Sequence, residues 1–262
     1  MNIWTNKSIE LANQRDYLDQ LYRIYPMANN LKRELSNDYI LEIQKYFDTK
    51  NNVELIKTLL KSELFPVKDS YIAYFKRDKS AIDRNPLQVD RIAGMVYEMG
   101  VYETINAMTL PKETNRQIGP LFRNWLKTKA LGVELINNSE DFLNSKKNAV
   151  LNLGDSKLEE FAKTYIGYSN NKGLDFVAKF NNKIIIAETK FLTDFGGHQN
   201  AQFSDAIATL NNKLKKTDFE VIPIAILDGV LYIKSNSKMY KSLEEHDGIM
   251  SALFLRDFLY SL

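Results

Sequence analysis

Between Gly173 and Phe191, three charged residues lie near the two ends of a stretch whose middle is largely apolar apart from Lys179 and Lys183. Asp175 lies near the start of this stretch, and Glu188 and Lys190 lie near its end. Carboxylates and a lysine ammonium can together hold a cation and stabilise a negatively charged group beside it. Such chemistry requires the three side chains to meet in the folded chain, although Asp175 is well separated from the other two in sequence.

The apolar residues around these charges predict a β-hairpin with a tight turn at 181–182. Both turn residues are asparagine, which tolerates the positive φ angles of a two-residue hairpin loop. If Phe180 pairs with Lys183, counting outward along the antiparallel strands places Asp175 opposite Glu188. Side chains directly opposite each other point to the same face, and the residue two positions after Glu188 returns to that face. The spacing therefore predicts that the three charges converge.

Two carboxylates opposite each other destabilise a sheet unless a cation or a bound proton offsets their repulsion. A divalent cation with oxygen ligands at about 2.0–2.1 Å and several retained waters would do so, which is typical of Mg²⁺. The carbonyl oxygen of Thr189 could add a ligand, and Lys190 could polarise a water molecule for attack on a phosphate. The alternative is a solvated strand end at which Lys190 merely pairs with Asp175 and Glu188. The matching register favours the metal site.

The composition is that of a globular protein. The chain has 262 residues, of which 44% are hydrophobic and 26% are charged, and this excludes a disordered chain. No stretch has the roughly 20 apolar residues needed to cross a bilayer, and the first residues lack the apolar segment of a signal peptide. The chain has no cysteine, which excludes disulfides and thiolate metal ligands. We therefore expect a cytoplasmic protein that does not bind a membrane.

Residues 1–150 are predicted to form a mostly helical region. Apolar residues recur there at helical spacing, and Asn85 followed by Pro86 supplies a cap and a first-turn proline for one helix. Gly119-Pro120 similarly predicts the start of another helix. No repeat or low-complexity linker separates this region from the rest, so the boundary near residue 150 is soft.

Residues 151–262 mix helices with strands. The helix KLEEFAKTYI precedes the hairpin, and a helix and the buried strand FEVIPIAIL follow it. Asp228-Gly229 predicts a tight turn that pairs this strand with VLYIK. The order of elements predicts an α/β fold in which a mixed central sheet is flanked by helices, with the large mostly helical N-terminal region before it.

Asp175, followed on the next strand by the tripeptide that ends in Lys190, resembles the motif of the PD-(D/E)XK nucleases. The helix before the hairpin and the helix and strand after it match the common core of that family. The arrangement most resembles type II restriction endonucleases and covers roughly residues 155–230, with Leu174 where the motif's proline would stand. The resemblance implies a restriction-endonuclease-like catalytic core in residues 151–262. DNA recognition, dimerisation or both would then fall to residues 1–150.

The resemblance also implies Mg²⁺-dependent hydrolysis of the phosphodiester bonds of double-stranded DNA, with 5′-phosphate ends on the products. Asp175 and Glu188 would be the metal ligands, and Lys190 would position the attacking water. The family often adds a glutamate from the preceding helix. Glu159 is the candidate here, although it could equally serve only in a capping box with Ser156. No dinucleotide or mononucleotide motif calls for an organic cofactor, and cutting both strands of a symmetric site favours a homodimer.

The turn and helix after Lys190 contain candidates for contact with DNA. Glycine lets the backbone approach a ligand closely, the next helix offers N–H groups to a phosphate, and glutamine can pair with adenine. The alternatives are a plain turn for the glycines and a surface capping role for the histidine. The candidates are Gly196, Gly197, His198, Gln199 and Asn200.

A basic stretch, residues 111–132, is the other candidate for contact with DNA. Arg116, Arg123 and Lys127 are its candidate phosphate ligands. The net charge of the chain is only +2, so composition alone does not indicate a nucleic-acid-binding protein. A solvated amphipathic helix is the alternative.

Two other functions are compatible with the same residues. A PD-(D/E)XK core could belong to a repair or structure-specific nuclease that recognises no fixed sequence. Alternatively, the chain could be a DNA-binding module whose hairpin has lost catalysis. Digestion of a DNA of known sequence separates these possibilities, because only a restriction enzyme yields discrete fragments.

Overall fold

The computed structural model describes residues 2–26, 32–110, 118–170, 173–212, 214 and 219–262. The chain divides into two compact units. The sheet unit combines Met1–Met27 with Glu113–Leu262, and the helical unit is Ala28–Lys112. Hydrophobic periodicity had placed a single boundary near residue 150, because the helical unit is flanked by further helices and no change of period marks its ends.

One mixed sheet of six strands forms the centre of the sheet unit. The pairs β1–β2, β4–β5 and β5–β6 are parallel, whereas β2–β3 and β3–β4 are antiparallel. The strands lie side by side in chain order: β1 (Glu134–Ile136), β2 (Ala149–Leu151), β3 (Phe176–Phe180), β4 (Lys183–Leu192), β5 (Glu220–Gly229) and β6 (Ile249–Met250). The predicted mixed sheet is confirmed, and β1 and β2 extend it with strands too short to show a period.

Helices make up most of the remaining regular structure. None of those in the described residues is long and apolar enough to span a membrane. Their bounds are α1 (Ile3–Ala12), α2 (Tyr17–Tyr22), α3 (Asn37–Asp48), α4 (Asn52–Leu59), α5 (Ser70–Arg77), α6 (Ala81–Arg84), α7 (Pro86–Met99), α8 (Val101–Met108), α9 (Ile118–Lys127), α10 (Ser139–Asn144), α11 (Asp155–Tyr165), α12 (Gly197–Leu210), α13 (Lys238–Ser242) and α14 (Leu255–Tyr260).

Alternation along the central strands supplies two apolar faces, and helices cover both. Phe176 and Phe180 of β3 belong to one core, to which Phe122 of α9 also contributes. The intervening Val177 belongs to another core, which contains Phe161 of α11. This follows from the two-residue period of a strand, and it confirms the prediction of a sheet flanked by helices.

The hairpin has the predicted turn and register. Asn181 and Asn182 have φ angles of 49° and 66°, as a type I′ turn requires. Phe180 is paired with Lys183, and the pairing continues to Phe176 opposite Ala187. All five residues of β3 are buried, so the tight turn and the apolar strand together fix the register on which the charges depend.

The predicted hairpin after β5 is wrong. The residues after Gly229 form a 3-10 turn, Val230–Tyr232, and β5 pairs instead with β6 in a parallel ladder. Gly229 has a φ of 103°, and a Cβ atom there would lie 2.0 Å from the carbonyl oxygen of Leu192. Asp228-Gly229 therefore ends the strand against β4 and turns the chain away from the sheet.

The helical unit has its own apolar core. Val89, Ile92 and Val96 of α7 are buried in it, and α7 begins at the predicted Pro86. The helical periodicity predicted for this segment is confirmed, because these three residues recur on one helix face.

Candidate active site

The end of the hairpin holds an aspartate against β4. Asp175 directly precedes β3, and its N–H donates a hydrogen bond to the carbonyl oxygen of Ala187 at 3.1 Å. The N–H of Thr189 donates to Oδ2 of Asp175 at 2.8 Å. These two bonds fix the carboxylate beside β4. Because β4 continues to Leu192 after β3 has ended, this part of the sheet edge is open.

Lys190 joins the two carboxylates. Its Nζ lies 3.2 Å from Oδ2 of Asp175 and 2.5 Å from Oε2 of Glu188. Glu188 is only 2% exposed, whereas about a fifth of the side chain of Lys190 is exposed. The structure therefore brings together the three residues that the hairpin register selected, with Glu188 buried beneath the other two.

The charges of this cluster keep Lys190 protonated. Burial lowers the pKa of Lys190, but the negative charges of Asp175 and Glu188 and its hydrogen bonds to both raise it. The pKa lies above its usual value as a result. Two carboxylates and one ammonium have a formal net charge of about −1, which attracts a further cation.

The oxygen donors fit a divalent cation. The carboxylates of Asp175 and Glu188 both contact the ammonium of Lys190, which lies between them. The described part of the chain has no group of three or more histidine, aspartate or glutamate side chains arranged for a metal. A cation here would thus have few protein ligands and several waters, as Mg²⁺ does in proteins. The carbonyl oxygen of Thr189 stays a predicted further ligand.

Glu159 forms an ion pair on its own helix, and its role toward a metal stays a prediction. Its Oε1 accepts a hydrogen bond from Nζ of Lys163 at 2.6 Å, in an i,i+4 ion pair on α11. It does not form a metal-binding group with Asp175 and Glu188. The alternative role in a capping box with Ser156 is wrong, because α11 begins at Asp155 with Gly154 as its N-cap.

The glycines and polar residues after β4 form the start of α12. Gly196 is the N-cap, and Gly197 is the first helical residue. Nε2 of His198 lies 3.0 Å from Nε2 of Gln202, one turn further along the exposed side of the helix. The side chain of Asn200 donates to the carbonyl oxygen of Phe195 at 2.8 Å, so it braces the turn. Their roles toward DNA stay predictions.

Gln199 is buried in α12, with 6% exposure. Its amide group bonds to Thr193, accepting from the backbone N–H at 3.4 Å and donating to Oγ1 at 3.3 Å. Both ends of this amide are therefore occupied by the chain that follows β4.

The basic candidates differ in their surroundings. Arg123 of α9 donates from Nη2 to Oδ1 of Asp155 at 2.5 Å, whereas Lys127 at the end of α9 is exposed. Arg116 lies outside the described residues. Neither described cation belongs to the cluster of Asp175, Glu188 and Lys190.

A cleft of about 160 Å³ opens beside this cluster. Four of its lining residues were not predicted as site residues, and Gly119 and Gln202 are two of them. Gly119 was interpreted only as the start of a helix, and Gln202 can be located only when the face of α12 is known. The lining residues are Ile118, Gly119, Asp175, Thr189, Lys190, Phe191 and Gln202.

A mixed sheet with helices on both faces and a lysine between two carboxylates at an open strand end together define the class of PD-(D/E)XK nucleases. The family model of the Tsp45I type II restriction enzyme matches residues 2–262, so the chain belongs to this family. The chain is accordingly a type II restriction endonuclease, a site-specific deoxyribonuclease, and such enzymes generally use a divalent metal. No curated protein and no solved structure matches it significantly.

Proposed function

We propose that this restriction endonuclease uses Mg²⁺ to hydrolyse phosphodiester bonds of double-stranded DNA, and that its active site is Asp175, Glu188 and Lys190. The products would carry 5′-phosphate and 3′-hydroxyl ends. The contact of one lysine ammonium with both carboxylates beside an open cleft is the observation that supports this assignment.

In this proposal each residue of the cluster has a distinct role. Asp175 and Glu188 would hold the metal together with the carbonyl oxygen of Thr189, and Mg²⁺ there would supply positive charge against the charge that develops on the phosphate and the leaving oxygen. Lys190 donates hydrogen bonds that orient the attacking water and a phosphoryl oxygen. The water oxygen bonds to phosphorus as the bond to the 3′ oxygen breaks. The phosphate stays on the 5′ oxygen of the next nucleotide, and the 3′ oxygen takes up a proton and becomes a hydroxyl group.

The same proposal assigns contacts with DNA. Arg123 and Lys127, with Arg116, contact phosphates, and the α12 start (196–200) contacts bases or backbone. Residues 1–150 would serve recognition, dimerisation or both. We also propose a homodimer, since a two-fold assembly matches a symmetric site on duplex DNA. A restriction enzyme acts on DNA inside the cell, so we propose a cytoplasmic location.

A plasmid digest tests the function. The purified chain and a plasmid of known sequence with Mg²⁺ should give discrete fragments with 5′-phosphate ends, and EDTA should abolish cleavage. Added NaCl should weaken DNA binding steeply if the basic residues contact phosphates. A smear of products would indicate a nuclease without a fixed site, and intact DNA that is nevertheless bound would indicate a module without catalysis.

A further inference from the structure

The cleft beside Lys190 has a second wall, which lies on helices rather than on the sheet. Gly119, in the first turn of α9, forms one part of it, and Gln202 of α12 forms another. Asp175 and Lys190 line the same cleft from the strands. A group that enters the cleft therefore contacts the metal-binding cluster on one side and the two helices on the other.

Gly119 keeps this space open. A Cβ atom on this residue would lie 4.0 Å from Oδ1 of Asp175 and 3.9 Å from Nη2 of Arg123, which are ordinary contact distances. Alanine would thus be accommodated without strain in the fold. Its methyl group would nevertheless occupy part of a cleft of only about 160 Å³, directly beside the carboxylate.

Gln202 supplies a neutral hydrogen-bond donor on the opposite side. Its Nε2 lies 3.0 Å from Nε2 of His198, which uses one of the two amide hydrogens. The other amide hydrogen is available to a group in the cleft. Gln199, one turn earlier, has both ends of its amide bonded to Thr193, so the two glutamines of α12 differ in what they can bind.

The lining also contains a polar atom that lacks a partner. The hydroxyl group of Thr189 is buried and has no hydrogen-bond partner among the described residues, although residues of the native interior rarely leave such groups unsatisfied. The charges suit an anion as well. Two carboxylates, one ammonium, one divalent cation and one phosphodiester group sum to a charge of zero.

We propose that this cleft binds the scissile phosphodiester group, with the amide of Gln202 donating a hydrogen bond to a non-bridging oxygen and Gly119 leaving the room that the phosphate occupies. The inference rests on the proposed function, since it places the substrate of that same site. Gln202 is then a substrate-binding residue oriented by His198. Glycine is required at position 119 because a larger residue would occupy the space of the phosphate.

Two substitutions test this assignment, each with a matched control. Gln202→Ala removes the donor, and Ser204→Ala is its control on the exposed side of the same helix. Gly119→Ala fills the cleft, and Gly154→Ala is its control, because nothing lies within 4 Å of a Cβ on that residue and its φ of −73° suits alanine. We expect Gln202→Ala and Gly119→Ala to slow single-turnover cleavage by about 10- to 100-fold, with thermal unfolding unchanged, and both controls to cleave normally.

A stereospecific substrate separates a direct contact from a structural effect. In duplexes that carry sulfur in place of either non-bridging oxygen at the cleavage position, one isomer should slow the wild type and slow Gln202→Ala no further. With the other isomer, the effects of sulfur and of the substitution should multiply. If the effects of sulfur and of the substitution on the cleavage rate multiply for both isomers, the assignment is wrong. It is also wrong if Gln202→Ala cleaves DNA at the rate of the wild type.

Binding of the unmodified duplex with Ca²⁺ separates this inference from the proposed function. If the wild type cuts DNA but Gln202→Ala changes neither cleavage nor binding, the inference alone fails. If the wild type cuts no DNA and Gln202→Ala weakens binding, the phosphate contact stands and the catalytic proposal fails. If the wild type cuts no DNA and the substitution leaves binding unchanged, both fail.

Discussion

Two neighbouring parallel strands each carry a buried acid near their carboxyl ends, and the two acids have opposite surroundings. Glu188 of β4 is paired with the ammonium of Lys190 beside an open cleft. Asp228 of β5 is fully buried, and it accepts hydrogen bonds from the hydroxyl groups of Tyr25 and Ser251 and from the N–H of Ala252. By strand alternation the two acids point to opposite faces of the sheet.

The difference indicates that Glu188 serves ligand binding, whereas Asp228 stabilises the fold. Glu188 pairs with Lys190, which lines the cleft, so a metal ion or a substrate that enters the cleft can change the charge around Glu188. Asp228 is enclosed by donors of the chain itself. Burial raises the pKa of Asp228 to about 6, although the hydrogen bonds from Ser251 and Tyr25 lower it. The first acid should therefore matter for catalysis, and the second for stability.

The largest expected effect comes from replacing each carboxylate with its amide. Glu188→Gln should lower the cleavage rate by at least about 100-fold, because a neutral amide holds a divalent cation poorly. Asp228→Asn, the matched change on the next strand, should keep cleavage within a few-fold of the wild type. Single-turnover assays at saturating Mg²⁺ measure both. If the two variants lose the same cleavage activity, the assignment of Glu188 to catalysis and of Asp228 to stability is wrong.

The next effect is on stability. Asp228→Ala should lower the free energy of unfolding at pH 5 by about 3 kcal/mol, because it leaves the donors of Tyr25, Ser251 and Ala252 without their acceptor. Asp228→Asn keeps an acceptor and the shape, so it should lose less. Urea denaturation followed by circular dichroism gives both values. A loss below about 1 kcal/mol in the alanine variant would show that these bonds contribute little.

The pH dependence of stability sharpens the same contrast. Because the folded state binds the proton of Asp228 more tightly than the unfolded state does, its contribution is complete below pH 3.8 and is lost as the pH rises through about 6. The rise in pKa corresponds to about 3 kcal/mol in the free energy of unfolding. Relative to Asp228→Asn, the wild type should lose about that much between pH 4 and pH 7. A constant difference across this range would refute the assignment.

The smallest effect is expected at Glu159. The ion pair between Glu159 and Lys163 lies on one partly exposed helix face, and such pairs contribute about 0.3–0.5 kcal/mol. Glu159→Gln should therefore leave cleavage within a few-fold of the wild type and the free energy of unfolding almost unchanged. A loss of cleavage activity comparable to that of Glu188→Gln would show that Glu159 acts in the active site.

The sequence predicted the site best where local geometry determines it. The asparagine turn and the apolar strands fix a register as far as Phe176 and Ala187, and its continuation by one residue predicts Asp175 beside Glu188. Gly119 and Gln202 could not be found in this way, because their positions depend on how α9 and α12 pack. The turn signal at Asp228-Gly229 was correct as a strand end but not as a hairpin, since the positive φ of Gly229 serves the close contact with Leu192. The fold class followed from the order of elements, whereas the discontinuous division of the chain did not.

The first helix of the chain bonds to its last strand. Oγ1 of Thr5 donates to the carbonyl oxygen of Ile249 at 2.7 Å, and the N–H of Ser251 donates to Oγ of Ser8 at 2.9 Å. During synthesis on a ribosome, α1 therefore emerges long before the residues to which Thr5 and Ser8 bond. A nascent chain that stops short of residue 249 already contains Asp175, Glu188 and Lys190, yet it lacks the two partners of Thr5 and Ser8.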